Sequence, residues 1–98
     1  MNQFIYLIRP ARAGFVKSAT PTEEAKVGEH FAYLQDLKKA GRLILAGRAQ
    51  TDEPFGIVIF EAVTEAEARQ VMEQDPAVAA GVFLAELHPY RVALMRGE

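Results

Sequence analysis

The sequence predicts an α+β domain with the order β-α-β-β-α-β, an antiparallel sheet carrying two helices on one face. Three observations carry this prediction. Two segments, Thr20 to Gly41 and Thr64 to Gln74, combine helix start signals with apolar residues at helical spacing. Four short runs rich in β-branched and aromatic residues lie before, between and after them. The middle two runs are separated only by a short turn, as in a hairpin. That order is the ferredoxin-like split arrangement.

Gln3 to Arg9, QFIYLIR, is the first strand. Its alternation sends Phe4, Tyr6 and Ile8 to one face and Ile5 and Leu7 to the other. Pro10 to Ala19 carries Pro, Gly and Ser without an apolar period and reads as a loop. It is long for a domain of this size, and long loops often hold binding residues. In Thr20 to Gly41, Thr20 caps the first turn, Pro21 suits the first helical position, and Glu23 completes a capping box. Lys38 and Lys39 suit the negative end of the dipole, and Gly41 stops the helix. Val27, Phe31, Leu34 and Leu37 form its apolar stripe, with His30 inside it.

Arg42 to Gln50 is the second strand, where Gly47 signals a bulge or a close backbone approach. Thr51 to Phe55 turns the chain into a third strand, Gly56 to Glu61. There Ile57 and Ile59 oppose Val58 and Phe60. Thr64-Glu65-Ala66-Glu67 is a second capping box, with Ala68, Val71 and Met72 on the inner face of the helix it opens. Asp75-Pro76 ends that helix, because the residue before proline avoids the helical region. Ala77 to Gly81 adds a further turn, and Phe83 to Leu94 is the last strand, broken near Pro89. Strands apolar on both faces need cover on the helix-free side too. A second copy is the simplest cover, so a homodimer is expected.

The chain of 98 residues suits one domain, and half of its residues are hydrophobic, enough for a real core. A net charge of -2 argues against general nucleic-acid binding. The absence of cysteine excludes disulfides, thiolate metal sites and cysteine nucleophiles. Two histidines are too few for a histidine metal cage unless carboxylates or a second subunit contribute, so neither metal nor cofactor is expected. No apolar run approaches the ~20 residues of a membrane helix. The N-terminus lacks the basic start and cleavage site of a signal peptide, so a cytoplasmic protein is the expectation.

His30 is the first candidate for chemistry. An imidazole takes and gives protons near neutral pH, so it suits a general acid/base; the alternative is a core or rim histidine satisfied by backbone. Asp75 is the candidate partner that would fix the tautomer. Its alternative is a plain cap on Pro76-Ala77-Val78. A carboxylate at the end of the preceding helix sits at the unfavourable pole of its dipole, which a new helix or a charged histidine would offset. Arg9 and Arg48, at strand ends beside loops, are candidates for holding a substrate carboxylate or phenolate. His88, before Pro89, reads as structural, and Glu29 points to a different side of the helix from His30. No phosphate-binding loop, dinucleotide fingerprint or HExxH motif is present.

HFAYLQDLKKAGRLILAGR (His30 to Arg48) resembles the HxxYLxxLxxxGxLxLAG signature of YCII-like proteins. ARQVMEQDPAVAAGVFLAELHPYRVAL (Ala68 to Leu94) resembles their second signature, an Ala-rich helix, then DP, a small-residue run and a Pro-aromatic close. The resemblance implies a ferredoxin-like domain that dimerises into an α+β barrel. It also implies an active site built on a His–Asp pair, which by motif is His30 and Asp75. Two departures touch the substrate side. Arg48 stands where the family often has Pro, and Thr51-Asp52-Glu53-Pro54 replaces a DG-rich turn. Two functions are therefore expected to compete. One is a small cofactor-independent enzyme whose dyad moves a proton in an elimination or isomerisation of a small, cyclic or aromatic molecule. The other is a non-catalytic ligand-binding or stress-related dimer.

Overall fold

A computed structural model describes residues 1–97. Its elements run β1 (Asn2–Pro10), α1 (Phe15–Ser18), α2 (Pro21–Lys39), β2 (Leu43–Arg48), β3 (Gly56–Ala62), α3 (Glu65–Gln74), α4 (Pro76–Ala79) and β4 (Phe83–Pro89). The strands form one antiparallel sheet in the order β2-β3-β1-β4, the ferredoxin-like order.

β1 is an inner strand, paired along its two edges with β3 and β4. Phe4, Tyr6 and Ile8 join Val58, Phe60 and Ala62 of β3 in the main core. Leu34 and Leu37 of α2, with Ala68, Val71 and Met72 of α3, close that core from one side. Each large side chain buried there contributes about 1.5–3 kcal/mol. Ile5 and Ile59, paired across the strands, face the other way and are still buried. Leu45 and Leu84 on that helix-free side are each 47% exposed.

The ends of α2 behave as their residues dictate. The Thr20 hydroxyl accepts from Glu23 N–H, and the Glu23 carboxylate accepts from Thr20 N–H at 2.8 Å, a complete capping box. Gly41 follows at φ 75°, a left-handed conformation that favours glycine. The start of α3 is simpler than its sequence suggests. Thr64 accepts from Glu67 N–H, but the Glu67 carboxylate is taken by Arg42 at 2.6 Å. The box is therefore half made, because a guanidinium is the stronger competitor for the carboxylate.

Four other expectations are corrected. The loop after β1 contains a one-turn helix, α1, entered through Gly14 at φ 72°. The register irregularity in β2 lies between Leu43 and Leu45, not at Gly47. The last strand ends at Pro89, and residues 90–97 continue without strand structure. Proline has no N–H to extend the ladder. Phe31 is 62% exposed, because the inner line of α2 runs through His30, Tyr33, Leu34 and Leu37 and leaves Phe31 to one side.

Candidate functional site

Asp75 joins two helices. It ends α3 and caps α4, where its Oδ1 accepts from Ala77 N–H at 3.1 Å. The capping reading of the Asp-Pro pair is therefore correct, and it uses only one carboxylate oxygen. The other, Oδ2, accepts from the Tyr6 hydroxyl at 2.8 Å and lies 2.6 Å from His30 Nδ1. Asp75 is fully buried, the only buried polar or charged residue among the described ones. With Tyr6 and Ala77 already donating, the carboxylate is an acceptor, and His30 presents Nδ1–H to it. That leaves the lone pair of the neutral ring on Nε2. This nitrogen makes no hydrogen bond among the described residues and is not buried.

The Tyr6 phenol is pushed far above its ordinary range, first by burial and then by the negative charge of Asp75. It remains a donor at any ordinary pH. Tyr33, whose hydroxyl donates to Val71 C=O at 2.7 Å, is raised by burial and then by Asp75, with Arg42 opposing. Phe83 of β4 meets the His30 ring edge-on at 5.4 Å and 90°, and Phe15 of α1 packs against Phe83 at 6.0 Å. The imidazole is thus held by a carboxylate at one nitrogen and by an aromatic ring beside it.

His30 lines a pocket of about 750 Å³ between the sheet and α1, α2 and the β2–β3 turn. Its wall is mostly apolar, with Phe15, Val27, Phe31, Phe55 and Phe83 prominent, and Glu24 and Arg48 add charge. Gly56 forms part of the wall where β3 meets β1, and a Cβ there would come within 2.9 Å of Ile8 Cγ1. Arg48, paired across the sheet with Gly56, stands on the pocket side and makes no hydrogen bond or salt bridge among the described residues. Arg9 reaches the pocket only at the strand end, since the pleat turns it opposite to Ile8. The two arginines named from sequence are therefore not equivalent. His88 is on the helix-free side, within 2.8 Å of Glu86, far from this network in the fold.

Tyr6 was not among the residues singled out from sequence as candidates for chemistry. Its signal was present: a tyrosine at an inner strand position needs an acceptor for its hydroxyl. Among the described residues no group of three His, Asp or Glu side chains gathers as a metal ligand set, and no helix is long and apolar enough to cross a membrane.

Solved structures similar to this chain share its fold. One is 5-chloro-2-hydroxyhydroquinone dehydrochlorinase (TftG) from Burkholderia phenoliruptrix AC1100, in complex with 2,5-dihydroxybenzoquinone. It matches with a TM-score of 0.66 at 24% identity, over 90% of this chain and 93% of that one. SnoaB, a cofactor-independent oxygenase from Streptomyces nogalater, matches with a TM-score of 0.53 at 11% identity over 100% of both chains. The uncharacterised protein TM1266 of Thermotoga maritima matches with a TM-score of 0.51 at 5% identity, over 91% of this chain and 95% of that one. No curated protein matches the sequence significantly. The model of the YCII-related domain matches residues 4–88, nearly the whole sheet and all of the helices, and the chain belongs to the YCII-related family.

Proposed function

We propose that this protein is a small acid–base enzyme acting on a small organic molecule, cyclic or aromatic, by elimination or isomerisation. His30 takes and returns the proton, and Asp75 orients the ring and supports its charged form. One observation carries the reading: Nδ1 of His30 is held by a fully buried carboxylate while Nε2 is left open on a ring that lines an apolar pocket. A general base needs that combination of a fixed tautomer and a free nitrogen. The two named fold neighbours add support. One is by its name a dehydrochlorinase of a chlorinated hydroxyhydroquinone, the other a cofactor-independent oxygenase.

In the elimination, Nε2 removes a proton from a hydroxyl or carbon of the substrate. The electron pair moves into the ring system and expels an anion, halide or hydroxide, from another carbon. The imidazolium, balanced by Asp75, then gives its proton to the leaving group or to water. Arg48 stabilises the phenolate or carboxylate charge that the substrate carries or develops. Arg9 is a weaker candidate for this part because of its direction.

The test is halide release from a panel of chlorinated hydroquinones by wild type and by His30→Ala. The expected result is turnover by wild type and a loss of about 100-fold or more in the variant. The variant should still fold, at a lower melting temperature because Asp75 loses one of its three donors, so the rates are compared below the variant's melting temperature. Equal rates would overturn the reading. A ligand that raises the melting temperature of both proteins without turnover would favour the non-catalytic binding function.

The same reading includes a cytoplasmic homodimer through the helix-free sheet face. Leu7, Ile57, Leu45 and Leu84 emerge there, and a face that apolar favours cover by a second copy. Sedimentation at micromolar concentration should give a dimer, and Leu45→Glu should shift it toward monomer. A monomeric wild type would end this part of the reading.

A further inference from the structure

We propose that Tyr6 is a positioning residue for the His30–Asp75 pair, holding Oδ2 of Asp75 toward Nδ1 and drawing off part of its negative charge. The inference rests on the acid–base reading above. Asp75 has two anchors besides His30. Ala77 N–H holds Oδ1 and the Tyr6 hydroxyl holds Oδ2. Turning the carboxylate breaks both bonds, so it stays in place while the ring gains and loses a proton. Tyr6 itself is rigid. It sits on β1 between β3 and β4, is wholly buried, and packs edge-on against Phe60 at 5.7 Å.

The hydroxyl and Nδ1–H share one oxygen. A donor on that oxygen reduces its pull on the imidazole. Without it the imidazole would be the only side-chain donor left on that oxygen. The hydroxyl and Nδ1–H thus compete for the charge on Oδ2. Other ionisable groups face the pair as well. Glu24 of α2 and Arg48 of β2 line the pocket beside His30, Arg9 of β1 reaches its edge, and Tyr33 of α2 feels the charge of Asp75. β4 and α1 offer only the uncharged Phe83 and Phe15 to the ring and its neighbour. All of these are unchanged in Tyr6→Phe, so a difference from wild type isolates the hydroxyl.

Two readouts test the proposal. With a substrate in hand, Tyr6→Phe should lower kcat about tenfold with KM nearly unchanged, the size of effect expected from one charge-assisted hydrogen bond. The acidic limb of the pH–rate profile should also move to higher pH. A lower melting temperature with the profile in place would mean that Tyr6 is only structural, and would overturn the proposal. The second readout needs no substrate. ¹H–¹⁵N NMR of the imidazole should show that the His30 Nδ1–H signal changes in Tyr6→Phe and that the ring titrates over a higher pH range. Unchanged ring signals overturn the proposal whether or not a substrate is found. Changed signals together with a wild type that turns nothing over would support the role of Tyr6 and count against the acid–base reading. If Tyr6→Phe fails to fold, the wild-type hydroxyl proton decides. It should exchange slowly, and exchange as fast as that of the exposed Tyr90 overturns the proposal.

Discussion

Two carboxylates in this protein each collect three donors. Asp75 takes Tyr6, His30 and Ala77 in a site with no solvent exposure. Glu23 takes Arg12 through two nitrogens and Thr20 N–H at the surface, where the Arg12 side chain is 42% exposed. The donor counts are equal, but water sees only one of the sites. Around Glu23, water replaces a lost partner; around Asp75 nothing does. The Arg12 pair holds the Glu23 carboxyl down at about 2, well below its ordinary 4.5, and Thr20 N–H adds to this. Beside Asp75, Tyr6 and Tyr33 are both driven upward, first by burial and then by its negative charge. The surface node secures the loop before α2, since Arg12 also donates to Ser18 O at 2.7 Å. The buried node ties α2, β1 and the α3–α4 junction to one point.

The largest expected effect is at the buried node. Asp75→Ala should destabilise the fold by about 3–5 kcal/mol, because it leaves the Tyr6 hydroxyl without an acceptor and breaks a buried pair. Urea unfolding at neutral pH measures this. A loss as small as that of Glu23→Ala would erase the distinction between the two nodes.

A middle-sized effect is expected at the start of α2. Thr20→Ala should cost about 1 kcal/mol by removing one half of the capping box. The same urea series checks it, and a loss equal to that of Asp75→Ala would mean that exposure does not decide the cost.

The smallest effect is a pH dependence. The folded-state value of Glu23 is depressed, so its contribution is complete above its unfolded value near 4.5 and is lost as pH falls through about 2. The melting-temperature gap between wild type and Glu23→Gln should therefore narrow from pH 4.5 downward. A gap that widens with acid would contradict the Arg12–Glu23 pairing. The expected size is modest because the pair is exposed to water and salt.

Local chemistry was legible in the sequence because it depends on near neighbours along the chain. Thr20, Pro21, Glu23 and Gly41 bounded α2, and two-residue alternation assigned Phe4, Tyr6 and Ile8 to one face. Asp75-Pro76 was readable as a helix break and a cap, and the motif resemblance paired Asp75 with His30 across 45 positions. Readings failed where a distant residue competed. Glu67 answers to Arg42, 25 positions away, and not to the backbone of Thr64. Phe31 has helical spacing but no facing partner, so it lies at the pocket rim.

By itself, then, the sequence determined the order of the strands and the two main helices and the two-faced strands, matters of spacing and residue type, while its motif resemblance pointed to the His–Asp pair. Tertiary structure alone decided which strand face meets the helices, that Arg48 stands on the pocket side while Arg9 reaches only its edge, and that Tyr6 completes the Asp75 network. The physical reason is that a buried carboxylate is satisfied by whatever the fold brings within about 3 Å of it. Tyr6 lies 69 positions before Asp75, and only the packing of β1 beneath the α3–α4 junction brings its hydroxyl to Oδ2.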